Sequence, residues 1–182
     1  MAEESKFVDL AHAAAKQVLR PPLFIERGAV LLYQITVDNK LETTVNPKKP
    51  KRGDSAFQTD LCVFEEKPND IKLPRVVLEF KAGISTHDVL TYSAKARKHK
   101  QVYPYLRYGV VVSNEAVVPH RFFIHNEALD FFAALKNTKH AELGDFFSRL
   151  IKCEVRTSKR MEGIAFGEQP KFFRSEIEYK LM

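Results

Sequence analysis

Two apolar runs on either side of a turn constrain this chain more than anything else in it. Gln58 to Glu65 and Pro74 to Lys81 are rich in β-branched and aromatic residues, and the segment between them carries Pro68-Asn69-Asp70 at its centre. Proline presets one backbone torsion, and asparagine and aspartate tolerate the left-handed turn conformation, so the pattern predicts an antiparallel hairpin. Strand side chains alternate between faces, which puts Val77, Glu79 and Lys81 on one face and Val76, Leu78 and Phe80 on the other. The second set can enter a core. A register centred on Asp70 sets Asp60 opposite Phe80, beside Glu79 and Lys81. Opposed Cβ atoms in such a pair lie about 4.5–5.5 Å apart and diagonal ones about 7–8 Å, close enough for two carboxylates to share one hard cation.

The rest of the chain supplies the covering layers. Phe7, Leu10, Ala14, Val18 and Leu19 recur at helical spacing, and Pro21-Pro22 must stop that helix. Leu23 to Thr36 is apolar nearly all round and reads as a buried helix. The segment from Asn46 to Asp54, with two prolines, a glycine and four basic residues, reads as an exposed loop. After the hairpin, Ser85 and Asp88 form a capping box for a helix to about Val102, with Val89, Tyr92, Ser93, Ala96 and Tyr103 on its packed face. Pro104 ends that helix, and Arg107 to Ser113 predicts a strand buried on both sides. His120 to His125 reads as a further strand, Glu127 to Lys136 as a helix capped by Asn126, and about Ala141 to Arg156 as another helix; Thr157 to Met182 has mixed signals. The expectation is an α/β domain with a mixed sheet flanked by helices, and 182 residues suit a single core.

Composition narrows the function classes. With 45% hydrophobic and 29% charged residues the chain can bury a core, which argues against disorder. Cys62 and Cys153 are too few for a disulfide framework or a thiolate metal cage, and the start lacks a basic-then-apolar leader, so a reducing cytoplasm is the expected setting. No apolar run approaches the roughly 20 residues of a membrane-spanning helix, so no membrane partner is expected. A net charge of +6 and a pI near 9.3 lean toward a polyanionic partner.

Two carboxylates on neighbouring strands repel each other unless something cationic lies between them. Mg²⁺ suits that place because it takes oxygen ligands and keeps several waters as potential nucleophiles. Lys81 beside it could orient or deprotonate an attacking water, or stabilise charge on a phosphate. The predicted chemistry is phosphodiester hydrolysis.

Asp60-Leu61-Cys62-Val63, then Val76-Val77-Leu78-Glu79-Phe80-Lys81-Ala82-Gly83, then a helix and the strand Tyr108-Gly109-Val110-Val111-Val112, resembles the PD-(D/E)XK nuclease superfamily, whose restriction-endonuclease-like members carry an Asp and a Glu-x-Lys on adjacent strands. The resemblance covers about Leu23 to Ser113, with Thr59 where the family usually has Pro. It implies a restriction-endonuclease-like fold with a catalytic core at about 23–113 and a C-terminal helical part at about 126–182. It also implies Mg²⁺, with Mn²⁺ as a substitute, held by Asp60 and Glu79, and Lys81 serving the hydrolytic water. Many members add an acidic residue from an early helix, and Glu26 is the matching position; Gln101 and Tyr105 fit the Gln-x-x-x-Tyr of exonuclease-like members, although Pro104 falls between them. The implied activity is cleavage of DNA, endonucleolytic and restriction-like.

Two basic groups could hold the DNA backbone. Lys95 and Lys98 share a helix face with His99, and the loop offers Lys48, Lys49, Lys51 and Arg52. Helix-dipole complementation and a merely solvated loop explain them equally well. The alternative to a nuclease is a non-catalytic nucleic-acid or protein-binding module with the same fold, and RNA or branched DNA are alternative substrates. Paired phenylalanines such as Phe146-Phe147 fit a core or the contact of a homodimer.

Overall fold

The structure, a computed structural model, describes residues 2–53 and 55–180; Asp54, at the end of the predicted basic loop, and the last two residues of the tail lie outside it. In chain order the elements are α1 (Ala2–Val18), β1 (Leu23–Arg27), β2 (Val30–Leu32), β3 (Ala56–Gln58), β4 (Leu61–Lys67) and β5 (Ile71–Lys81). They continue with α2 (Thr86–Val102), β6 (Arg107–Val112), α3 (His120–His125), β7 (Phe131–Ala134) and α4 (His140–Ala165). Five strands form one mixed sheet in the order β1-β4-β5-β6-β7, and β2 pairs with β3 in a small second sheet. β1, β4 and β5 run antiparallel in sequence; β6 and β7 are parallel to β5, and α2 makes the crossover from β5 to β6. None of the helices is long and apolar enough to cross a membrane among the described residues.

Strand alternation divides the core in two. Leu61, Val63, Val76, Leu78 and Phe80 face α1 and α4, where Ala11, Ala15, Phe147 and Ile151 meet them. Cys62, Phe64, Val77, Val110 and Val112 face the other way, toward Val89 and Ala96 of α2 and Phe122 of α3. A strand covered on both sides has no polar face, and β6 is buried from Tyr108 to Val112, as its sequence predicts. Gly109 has a local reason: a Cβ there would lie 2.3 Å from the Phe131 ring of β7.

The predicted hairpin is present, with strands that run closer to the turn than expected. Lys67 pairs with Ile71, leaving Pro68-Asn69-Asp70 as the connection, with Asn69 at φ 65° and Asp70 at φ 56°. A bulge then interrupts the ladder, because Phe64 pairs with Pro74 while Val63 pairs with Val76, so Arg75 is the extra residue. Its fully buried side chain donates to Glu65 at 2.5 and 2.8 Å and to Glu162 of α4 at 2.6 Å.

Three assignments are corrected. Leu23 to Thr36 is not a helix: Gly28, at φ +67°, breaks the apolar run into β1 and β2. A strand with both faces covered is as uniformly apolar as a buried helix, so periodicity could not separate the two. Further on, helix and strand exchange places. His120 to His125 is the short helix α3, which buries Phe122 alone. The segment from Glu127 to Lys136 contains β7, so the C-terminal part expected to be helical opens with a strand. Asn126 starts no helix; it closes α3 instead, its N–H donating to the Phe122 carbonyl at 2.9 Å, while its Oδ1 accepts from the N–H groups of Ala128 and Leu129 at 3.2 and 2.7 Å, forming a tight turn. The last helix outruns its predicted end at Arg156 and reaches Ala165, since Val155, Ser158 and Glu162 continue the face that packs on the sheet and Arg75.

Candidate active site

Beyond the bulge Leu61 opposes Leu78, so the next position in line sets Asp60 against Glu79, one residue from the predicted partner Phe80. The shift comes from the bulge at Arg75 and the position of the turn, and it preserves the predicted proximity. Asp60 Oδ2 accepts the Phe80 N–H at 2.8 Å, while the Asp60 N–H points to Glu79 Oε2 at 3.4 Å.

Glu79 is 3% exposed and faces the α2 side of the sheet. Its Oε1 accepts the hydroxyl of Tyr108, itself fully buried on β6, at 2.5 Å. Burial, then the charge of Asp60, pushes the Glu79 carboxyl up to about 7, with the Tyr108 bond and the charge of Lys95 acting in the opposite direction. Burial and the neighbouring Glu79 carry the Tyr108 phenol well above its ordinary value, so Tyr108 remains a donor. His99 lies behind it, with ring centroids 5.7 Å apart.

Lys81 reaches the same side of the sheet. Its Nζ lies 3.7 Å from Asp88 Oδ1 and 5.9 Å from the centre of the Tyr92 ring, so the first turns of α2 hold it. The predicted capping box forms, with Asp88 N–H donating to Ser85 Oγ and Ser85 N–H to Asp88 Oδ2. Although burial pushes the Asp88 carboxyl up, the Ser85 bonds and the Lys81 charge hold it below its ordinary value. Lys95, one turn beyond Tyr92, has its Nζ 5.1 Å from that ring and contributes charge at Glu79. Three carboxyls, of Asp60, Glu79 and Asp88, therefore gather with the side chains of Lys81, Lys95 and Tyr92 where β4 and β5 meet α2.

No protein-family model matches the chain, and no curated protein matches it either.

The remaining predicted residues lie elsewhere. Glu26 is on a strand, not a helix; it pairs in register with Cys62, and Lys72 Nζ donates to its Oε1 at 2.6 Å. Among the described residues no three His, Cys, Asp or Glu side chains gather as a metal site, so Glu26 does not join Asp60 and Glu79 here. Gln101 is exposed near the end of α2, while Tyr105 is buried with Arg75 5.2 Å over its ring, so the two share no face. His99 does not accompany Lys95 and Lys98 to the surface. It is fully buried with Nδ1 2.8 Å from the Leu32 carbonyl, and burial lowers its ring to about 4, keeping it neutral at neutral pH. Lys98 is exposed with its Nζ 5.0 Å above Tyr33. Lys48, Lys49, Lys51 and Arg52 are exposed, and Arg52 donates to Gln58 Oε1 at 3.1 Å, fixing one end of the basic loop beside β3.

Sequence reasoning had no means of finding Tyr108 as a partner of Glu79. The parallel register of Val77 with Tyr108 and Glu79 with Val110 puts the tyrosine one pair away on the same face, and that register depends on the α2 crossover. The donor set fits a small hard cation. Two adjoining carboxyls share one negative region, one of them held near neutrality by its neighbour and its burial, and a divalent ion in place of that proton would relieve the repulsion.

Proposed function

We propose that the chain is a Mg²⁺-dependent deoxyribonuclease of the PD-(D/E)XK, restriction-endonuclease-like kind, working on DNA in the cytoplasm. The observation that carries this reading is the meeting of Asp60 and Glu79 on adjacent strands, with Lys81 two residues along and reaching the same side. The order of a helix-covered antiparallel hairpin, a crossover helix and a parallel strand supports it, since the family sets its Asp and Glu-x-Lys motifs in that context.

Asp60 and Glu79 would hold the metal, which when bound polarises a phosphate and makes water a better nucleophile. The chain's own contribution is positional. Tyr108 fixes the Glu79 carboxyl through Oε1, and the Phe80 N–H fixes Asp60 through Oδ2, so neither group must be ordered when substrate arrives. Lys81, steadied by Asp88 and Tyr92, presents an amine that can orient the attacking water and stabilise charge on the phosphate. Lys95 adds a second positive charge on the substrate side, and Glu26 assists only if substrate draws it from Lys72.

Calorimetric titration with Mn²⁺ and cleavage of labelled DNA test the reading together. Binding of one ion that Asp60→Asn or Glu79→Gln eliminates, with cleavage that Lys81→Ala abolishes, is the expected result. Metal-independent binding of DNA without cleavage would establish the non-catalytic module instead, and parallel assays on RNA and branched DNA identify the substrate.

A further inference from the structure

The same face of α2 carries a second feature that the metal chemistry does not use. Tyr33, just past β2, stacks on Phe57 of β3 with centroids 4.1 Å apart and planes 20° from parallel. Phe57 occupies one face of the Tyr33 ring, so Lys98, 5.0 Å above that ring, occupies the other. Lys95 lies 5.9 Å from the Phe57 ring and 5.1 Å from Tyr92, whose ring also receives Lys81 at 5.9 Å. Lysines and aromatic rings therefore alternate from Lys98 to Lys81, and the series ends at Asp60 and Glu79.

Two observations separate this series from a solvated helix face. Among the described residues neither Lys95 nor Lys98 has a carboxylate within ion-pair distance, whereas Lys81 and Lys100 do. Lys95 also lies before the last turn of α2, where the helix dipole would favour a cation. Beside Tyr33 a groove of about 340 Å³ opens between Gln34 and Ile35 on one side and Lys98, Gln101 and Val102 on the other. That volume falls within the range of about 300–1,000 Å³ usual for ligand clefts. Its lining combines an aromatic ring, a cation and two amides.

We propose that a single strand of nucleic acid lies along α2, its phosphates on Lys95 and Lys98 and one base on Tyr33 in this groove. The proposal rests on the nuclease reading for its direction, toward Asp60 and Glu79, and on the ring-and-lysine series for its chemistry. Lys98 covers the ring in the free protein; on binding, its flexible stem carries the ammonium from the ring to a phosphate and leaves the face to the base. Phosphate contacts alone would hold duplex and single strand alike, but stacking on a side chain needs a base that is not already stacked and paired, so the seat selects single strands.

The test is fluorescence anisotropy of a labelled oligothymidylate of about 15 nucleotides, against a duplex of the same length, in buffer with EDTA. Tyr33→Leu should weaken single-strand binding by about ten-fold and duplex binding by less than about two-fold. Lys98→Gln should weaken both and lower the slope of log affinity against log salt by about 0.7 on the single strand. Gln101→Leu, an exposed and uncharged change that leaves the Tyr33–Phe57 stack intact and removes the groove's amide at that position, should reproduce part of the selective single-strand loss if Tyr33→Leu fails to fold. Oligouridylate losing affinity in the same variants supports the seat equally, and its affinity relative to oligothymidylate decides between RNA and DNA. Single-strand affinity unchanged by both Tyr33→Leu and Gln101→Leu, or lost equally for duplex, overturns the proposal. Cleavage of DNA with those affinities unchanged would remove the seat and keep the nuclease; selective single-strand binding without cleavage would do the reverse.

Discussion

Glu79 sits in a polar conflict that its own environment maintains. Its carboxyl is withdrawn from water beside Asp60, and in the folded chain it is pushed up to about 7 from an ordinary 4.5. A group that holds its proton more tightly when folded adds stability fully below the unfolded value and loses it as pH rises through the folded one. The metal-free protein should therefore lose stability between about pH 4.5 and 7, by on the order of 3 kcal/mol for a shift of that size. Glu79→Gln should melt higher than the parent in EDTA at pH 8, with the gap closing toward pH 5; thermal unfolding across that range checks it, and a gap that does not change with pH would refute the assignment. The same proton competes with metal. Mn²⁺ affinity should rise by about ten-fold per pH unit below 7 and level off above it, with proton release visible as a buffer-dependent heat in calorimetry.

The elements are joined by a second polar cluster on the opposite face. The bulge turns Arg75 toward α4, where it binds Glu65 and Glu162, and Lys67 and Lys159 add to Glu65 at 3.1 Å each. Burial alone would raise the Glu65 carboxyl, but bonds from Lys67, Lys159 and Arg75 lower it to about 2. A carboxyl lowered on folding contributes stability that is present above its unfolded value and lost as pH falls toward the folded one, so this clamp should fail between about pH 4.5 and 2. Arg75→Met strands two carboxylates in or near the core and should cost about 3–5 kcal/mol in urea unfolding at pH 7. Adding Glu65→Leu should recover part of that loss, and a double variant no more stable than the single one would show that the cluster acts otherwise. At this scale the sequence was legible where one rule dominated. Pro68-Asn69-Asp70, Ser85 with Asp88, and the β-branched Val110-Val111-Val112 each state their structure locally. His120 to Ala134 defeats the same reasoning because Phe-Phe pairs and short apolar runs suit a helix turn or a strand equally, and a free position beside β6 decides which segment becomes β7.

Across the whole molecule, α4 divides the C-terminal third into a working part and a loose one. Ser158 and Glu162 are in contact with the sheet end, whereas residues 168–180 are exposed throughout, with Phe172 and Phe173 at 78% and 86%. Truncation after Gly167 should leave the melting midpoint within about 1 °C, since surface segments contribute within about 0.5 kcal/mol. Truncation after Arg156 removes Glu162, one of the two carboxylates on Arg75, along with Lys159 and should lower the midpoint by several degrees; a larger effect from the first cut would show that the exposed arm packs against a second copy.

Local chemistry in the sequence was enough to bring Asp60 beside Glu79 and to put Lys81 on the same side of the sheet, because a hairpin places its residues by strand period and turn position alone, and an error of one step still leaves neighbours adjacent. It was enough for α2 as well, whose cap and stripe are written within one segment. Only the tertiary structure supplied Tyr108 as the partner of Glu79, turned Lys95 toward the carboxyls, buried His99 and engaged Glu26 with Lys72. Those outcomes depend on a parallel crossover, a bulge and the packing of α2 on the sheet, which are set by the fit of distant surfaces to one another and leave no trace in the order of neighbouring residues.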